Sequence, residues 1–229
     1  MFTKLSVLVP TRGRVERLKT LLASFDATTD GAAEFVFRVD DDDAETQHFL
    51  DDRRKIVEHI EMVVGPRLGG YESLPVFFNE LWQYATGDVL MLGNDDMVFK
   101  TEGWAEKVLA AANCYPDGLF DIGVSTHNET HFPFSIVSAQ AVQTIGGFCY
   151  PRVFWVDMFL RDVMAAFGRC VMLRSVRIDH DWAGNAPDDV FREGLRHKAV
   201  VEQDTTYGAT RHQVAVDNAV QKLQGCYAS

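Results

Sequence analysis

The sequence predicts an α/β protein: a mostly parallel central sheet with helices on both faces, in a single domain whose C-terminal part is less regular. Three observations lead there. Short apolar runs alternate with segments of helical periodicity through the first hundred residues, the signature of parallel strands joined by covering helices. Val89–Leu92 is a continuous apolar run opened by Gly87-Asp88 and closed by Gly93-Asn94, as in a strand buried on both faces. Two adjacent carboxylates, Asp95 and Asp96, follow that run, where open α/β sheets place their ligands.

In chain order, Leu5–Val9 reads as the first strand and Pro10-Thr11-Arg12-Gly13-Arg14 as a turn after it. Val15 to Phe25 repeats Leu18, Leu21, Leu22 and Phe25 at helical spacing. Glu34–Val39 is a second strand, closed by the acidic run Asp40-Asp41-Asp42-Asp43. Such a run is usually a solvated surface; at a strand end it also suits a ribose, a base N–H or a metal. Ala44–Arg54 is a helix, Ile60–Val64 a third strand, and Gly65-Pro66-Arg67-Leu68-Gly69-Gly70 a loop. Leu74–Ala85 is an aromatic-rich helix, Val89–Leu92 the fourth strand, and Met97–Phe99 a further apolar step. Four strand ends therefore meet on one edge, carrying Thr11 and Arg12, Asp40 to Asp42, the 65–70 loop, and Asp95 with Asp96. Carboxylates there suit a hard divalent ion, Mg²⁺ or Mn²⁺, which neutralises phosphate.

The second half is less regular. Gly103–Asn113 is helical, Asp121–Ser125 and Phe134–Ser138 are strands, and Ala139–Ile145 is a helix leading into Gly146-Gly147-Phe148. A segment from Phe154 through Asp157 to Arg161 precedes a strand, Cys170–Val176, and then His180 between Asp179 and Asp181. The stretch 183–188 is a loop, Val190–Val201 a basic helix, and Val214–Leu223 the last helix. Of the aromatics Tyr71, Phe77, Phe78, Tyr150, Phe154 and Trp155, most are expected in the core.

Composition limits the possibilities. With 47% hydrophobic and 24% charged residues the chain is globular, and a net charge of −11 disfavours broad attraction to nucleic acid or anionic membrane. No apolar stretch approaches the ~20 residues of a membrane helix, and Leu5–Val9, ended by Pro10, is too short for a signal-peptide core. Cys114, Cys149, Cys170 and Cys226 show no zinc-type spacing and read as reduced, mostly buried thiols of a cytoplasmic protein.

With these residues in view, the chain resembles the family 2 glycosyltransferases, whose Rossmann-like GT-A fold binds nucleotide sugars. The resemblance runs from Val7 to Arg14, through Val39-Asp40-Asp41, through Asn79 eight residues before Gly87, to Gly93-Asn94-Asp95-Asp96 in the place of an Asp-x-Asp motif. It continues in Gly146-Gly147-Phe148 followed by Asp157, Arg161 and Gly168. Two positions depart: Gly93 replaces the motif's first carboxylate, and Val156 stands where the family has Glu.

What the resemblance implies is specific. Residues 1–100 form the nucleotide-sugar-binding half, with Pro10, Thr11, Arg12, Asp40, Asp41, Arg67, Asn79 and Asp95 on the donor. Residues 101–229 form the acceptor-binding and catalytic half of the same domain. Asp95, Asp96 and His180 hold Mn²⁺ or Mg²⁺, and Asp157 is the general base of an inverting transfer from a nucleoside diphosphate sugar to a hydroxyl acceptor. The acceptor is a glycan, a small molecule or a modified nucleic acid. Read without the resemblance, Asp157 is a helix N-cap or first-turn acid. Two other functions stay open: a sugar-phosphate nucleotidylyltransferase, for which Pro10–Arg14 has only one Gly, and a non-catalytic sugar- or nucleotide-binding module.

Overall fold

A computed structural model describes residues 1–29, 31–69, 73–127, 134–148, 156–180 and 205–227. The strands are β1 (Leu5–Thr11), β2 (Ala33–Asp40), β3 (Ile60–Gly65), β4 (Val89–Leu92), β5 (Met97–Phe99), β6 (Asp121–Ser125), β7 (Ile136–Ser138) and β8 (Cys170–His180). The helices are α1 (Val15–Asp26), α2 (Ala44–Arg54), α3 (Leu74–Leu81), α4 (Trp104–Ala112), α5 (Ala139–Ile145), α6 (Val156–Ala165) and α7 (Thr205–Tyr227). One sheet orders the strands β3-β2-β1-β4-β7-β6-β8-β5. Its first four are parallel, as the alternating pattern predicts; β7 runs antiparallel to both neighbours, β8 parallel to β6, and β5 antiparallel to β8.

Side chains alternate across the sheet into two cores. One face packs Val7, Val9, Phe35, Phe37 and Met91 against Leu18, Leu21, Leu22 and Phe25 of α1 and Trp104 and Val108 of α4. The other packs Leu8, Val36, Leu90 and Leu92 under Phe78 of α3, Val142 of α5, Phe159 and Val163 of α6, and Ala215 and Leu223 of α7. Pro10 is tolerated inside β1 because pairing with β4 ends at Leu8, so its missing N–H falls on an unpaired stretch. Phe77 and Phe78 are buried, as expected of core aromatics.

Several expectations need correcting. α3 ends at Leu81, not Ala85: the N–H groups of Gln83 and Tyr84 bond three residues back, to Glu80 and Leu81, and the helix tightens into a turn. β8 runs on to His180, with an irregularity opposite Val124 and Ser125 that steps its partner from Leu173 to Arg177. α7 is far longer than 214–223. Cys114, Cys170 and Cys226 are exposed, not buried, because each sits at or near the end of its element, where packing thins. The expected loop 183–188 and basic helix 190–201, together with Gly70, Tyr71, Cys149, Tyr150, Phe154, Trp155 and Asp181, lie outside the described residues. Among the described residues, no helix is long and apolar enough to cross a membrane.

One buried acid ties the antiparallel strands together. Asp121 accepts from the Ser135 hydroxyl at 2.9 Å and the Ile136 N–H at 3.1 Å, while its Oδ2 has no hydrogen-bond partner. Burial pushes its carboxyl up to about 7, against these hydrogen bonds and the charge of Arg161. A raised carboxyl favours the folded state at low pH, and that contribution is lost as pH rises through the folded value. Unfolding measured by denaturant should therefore show stability falling as pH rises from about 4 to about 7, with no further loss from this group above that. Asp121→Asn should flatten that slope; an unchanged slope would assign it to other groups.

Candidate active site at the carboxyl edge of the sheet

From β1 the chain builds outward to β2 and β3, then returns to place β4 on the other side of β1. Strand order reverses between β1 and β4, and in open α/β sheets the ligand crevice forms outside the carboxyl ends at such a point. Thr11 ends β1 and Asp95 follows β4, and the Thr11 hydroxyl donates to Asp95 Oδ2 at 2.9 Å. The two strands approach closely: a Cβ on Gly93 would come within 2.7 Å of Val7 Cγ1 and 2.9 Å of Val9 Cγ2. The glycine in the motif's first position is thus required by packing, and no carboxylate fits there.

The two motif acids have different partners. Asp95 is buried; Arg14, just before α1, donates from Nη1 to its Oδ1 at 2.9 Å, and Thr11 takes Oδ2. Burial pushes this carboxyl above the ordinary range, against Arg14 and Thr11, with the Asp96 charge adding to the rise. Asp96 Oδ1 lies 3.0 Å from His180 Nε2, and Oδ2 lies 3.8 Å from Arg17 Nη1 in the first turn of α1. Burial would raise this carboxyl too, but the contact with His180 and the charges of His180, Arg17 and Arg14 outweigh it and hold it below the ordinary range. The His180 ring nitrogen is close but not aligned as a donor, so Asp96 Oδ1 is buried without a hydrogen-bond partner. Asn94 Nδ2 stands 3.5 Å from the same ring nitrogen. His180 reaches this place because β8, past its irregularity, pairs with β5 and sets His180 opposite Met97.

Asp96 and His180 are the pair that could hold a divalent cation. An orphaned carboxylate oxygen and an imidazole nitrogen 3.0 Å apart make a mixed oxygen–nitrogen donor set. Asp95 turns both oxygens toward Thr11 and Arg14 instead. Among the described residues, no cluster of three His, Cys, Asp or Glu side chains suits a metal.

Toward β2 the acids are again matched by arginines. Asp40 is bracketed, with Arg38 Nη1 donating to Oδ1 and Arg12 Nη1 to Oδ2 at 3.0 Å. Arg12 also reaches both oxygens of Asp42, which holds the guanidinium firmly charged and the Asp42 carboxyl below its ordinary range. Arg67 stands 3.8 Å from Asp42, so one ion network joins the loops after β1, β2 and β3. Asp41 is exposed at the same edge, and Asp43 caps α2 by accepting from the Thr46 N–H. Pro10 and Thr11 end β1 beside this network.

Other expected residues are placed differently. The Asn79 side-chain oxygen accepts from the Phe148 N–H at 2.7 Å, holding the Gly146-Gly147-Phe148 turn. Asp157 is in the first turn of α6, with its side chain outside the described residues. Asp179 has both oxygens on Arg177, at 2.8 and 3.0 Å. Arg14, Arg17 and Arg38 are functional-edge residues that sequence reasoning missed. Arg38 had a signal: a charge inside the apolar strand Phe35-Val36-Phe37-Arg38-Val39, two residues before an acid on the same face.

The fold is of the GT-A type. It is shared with the mannosyltransferase PcManGT from Pyrobaculum calidifontis, solved in complex with GDP-Man and Mn²⁺, at a TM-score of 0.63 and 13% identity over 100% of this chain and 76% of that one. TarS of S. aureus aligns at a TM-score of 0.61 and 14% identity, over 76% of this chain but only 36% of TarS. Its 1–349 fragment in complex with UDP aligns at 0.58 and 15% identity, over 77% of this chain and 60% of that one. No protein-family model and no curated protein matches the sequence.

Arg38 is 1% exposed, packs its guanidinium 4.1 Å from the Phe77 ring centre, and donates to both Asp40 and the Pro66 carbonyl. Removing one member of a buried ion pair costs about 3–5 kcal/mol. Chemical denaturation of Arg38→Met should show a loss of that order, with part of it recovered by adding Asp40→Asn. A loss under about 1 kcal/mol, the range of surface pairs, would mean that Asp40 is not held this way.

Proposed function

We propose that this protein is a glycosyltransferase that moves a sugar from a nucleoside diphosphate sugar to a hydroxyl acceptor, using Mn²⁺ or Mg²⁺ and inverting the anomeric centre. The observation that carries the proposal is the nearly buried Asp96 facing His180 at the crevice between β1 and β4. The GT-A fold, shared with a mannosyltransferase solved with GDP-Man and Mn²⁺, supports it.

The residues divide the work along the edge. Asp40, Asp41, Arg12 and Arg67, with Pro10 and Thr11, receive the nucleoside at the ends of β1, β2 and β3. Asp96 and His180 hold the cation, which when bound neutralises charge on the leaving diphosphate. Arg17 adds positive charge beside them, 3.8 Å from Asp96. Asn79 acts one step removed, by fixing the turn that leads toward α6. Asp157 takes the acceptor proton as the acceptor oxygen bonds to the anomeric carbon and the bond from that carbon to the diphosphate oxygen breaks. The acceptor, a glycan, a small molecule or a modified nucleic acid, enters from the half formed by residues 101–229. A cytoplasmic setting agrees with the exposed, unpaired thiols of Cys114 and Cys170, which oxidising compartments would pair.

Calorimetry with UDP, GDP and CDP, each with and without Mn²⁺, should find one nucleotide whose binding needs the ion. Asp96→Ala should weaken that binding by more than the roughly 10–100-fold that an outer-shell partner is worth. Metal-dependent affinity unchanged in the variant would contradict the assignment. On the catalytic side, Asp157→Asn should lower kcat by roughly 10²–10⁴ with donor affinity kept. A kcat within a few-fold of wild type, together with a lowered Tm, would make Asp157 a helix-terminal acid instead.

A further inference from the structure

Asp95 and Asp96 are adjacent in sequence and opposite in circumstance. Asp95 is 4% exposed, and each of its oxygens is engaged at 2.9 Å, one by the Thr11 hydroxyl and one by Arg14 Nη1. Asp96, its side chain 10% exposed, has an oxygen with no aligned donor, aimed at His180 Nε2, and a second oxygen with only the long contact to Arg17. Thr11 ends β1 and Arg14 follows in the same short turn, so one loop supplies both groups that claim Asp95.

We propose that Arg14 is a positioning residue that withholds Asp95 from the cation, leaving a two-ligand half-site of Asp96 and His180 that fills only together with the donor's diphosphate. Hard divalent ions want six or more ligands, and one carboxylate plus one imidazole leaves most of the shell to water. Such a site holds an ion weakly until phosphate oxygens complete it. With Asp95 released, the site would present two carboxylates and an imidazole, enough to retain an ion without nucleotide. Arg14 thus determines whether the ion is resident or arrives with its substrate. The inference rests on the glycosyl-transfer reading for the identity of the anion, but it concerns a property of the nucleotide-free protein.

The experiment is therefore a titration of the full chain with Mn²⁺ alone, followed by the paramagnetic signal of free Mn²⁺, with Tm reporting that each variant folds. Wild type should bind weakly and Asp96→Asn not detectably. Asp95→Asn, which keeps shape and can still accept from Arg14, should leave the wild-type affinity as it is. Arg14→Met should tighten binding by about tenfold or more, within the range that groups behind metal ligands control. The double variant Arg14→Met with Asp95→Asn should return to wild type. Should the Met variant fail to fold, Arg14→Ala removes the same donor without placing an apolar chain beside Asp95, and should tighten binding in the same direction. Weaker Mn²⁺ binding in Asp95→Asn would overturn the proposal, and so would the absence of tightening in a folded Arg14 variant. Because no nucleotide is present, failure here leaves the donor assignment standing. Failure of every nucleoside diphosphate to bind would remove the donor assignment and leave the Mn²⁺ result readable.

Discussion

The pairing of acids at the carboxyl ends of the strands with basic and hydroxyl side chains from neighbouring strands, turns and helices is the interaction on which the rest of this structure depends. Asp40, Asp95 and Asp96 all sit at or just past strand ends, and a buried carboxylate without a partner is too costly to persist. Arg38 and Arg12 meet Asp40; Arg14 and Thr11 meet Asp95; Arg17 and His180 meet Asp96. Each pairing except Arg38 with Asp40 joins two different segments of chain, so the charges that would serve a ligand also hold the loops in register. The Arg12–Asp42–Arg67 network extends the same device outward across three loops.

The site is where it is because of backbone geometry. β4 can lie against β1 only if Gly87 and Gly93 stay small: an added Cβ would meet Ser6 Oγ at 2.7 Å in one case and Val7 Cγ1 at 2.7 Å in the other. That close approach forms the reversal in strand order and brings Asp95 to Thr11. At the far side, the irregularity in β8 lets one strand pair first with β6 and then with β5, which delivers His180 beside Asp96. Two glycines and one irregular strand thus bring together residues from β1, the end of β4 and the end of β8.

Much of this was legible in the sequence, for a physical reason. Buried parallel strands are continuous apolar runs and their covering helices repeat at 3.6 residues, so β1 to β4 and α1, α2 and α4 could be placed from pattern alone. The convergence of Thr11, Arg12, Asp40 and Asp96 on one edge followed from strand direction. What pattern could not give were contacts set by tertiary approach. Asp95 and Asp96 look equivalent on paper, and only the position of Arg14 separates them. Asn79 was expected on the donor, yet its carboxamide oxygen is directed to the Phe148 N–H, a partner 69 residues away. Gly93 looked like a lost ligand, and its packing against β1 shows why a side chain is excluded. The cysteines were expected in the core from residue type, which carries no information about where an element ends.

A crystal structure with Mn²⁺ and the nucleoside diphosphate that binds, using anomalous scattering to locate manganese, tests glycosyl transfer at this edge most directly. One manganese peak between Asp96 and His180 is expected, bridged to the diphosphate, with the nucleoside lying along Asp40, Asp41 and Arg12 and Asp95 still on Arg14. A nucleotide bound on another face of the sheet, or manganese held away from Asp96 and His180, would contradict it.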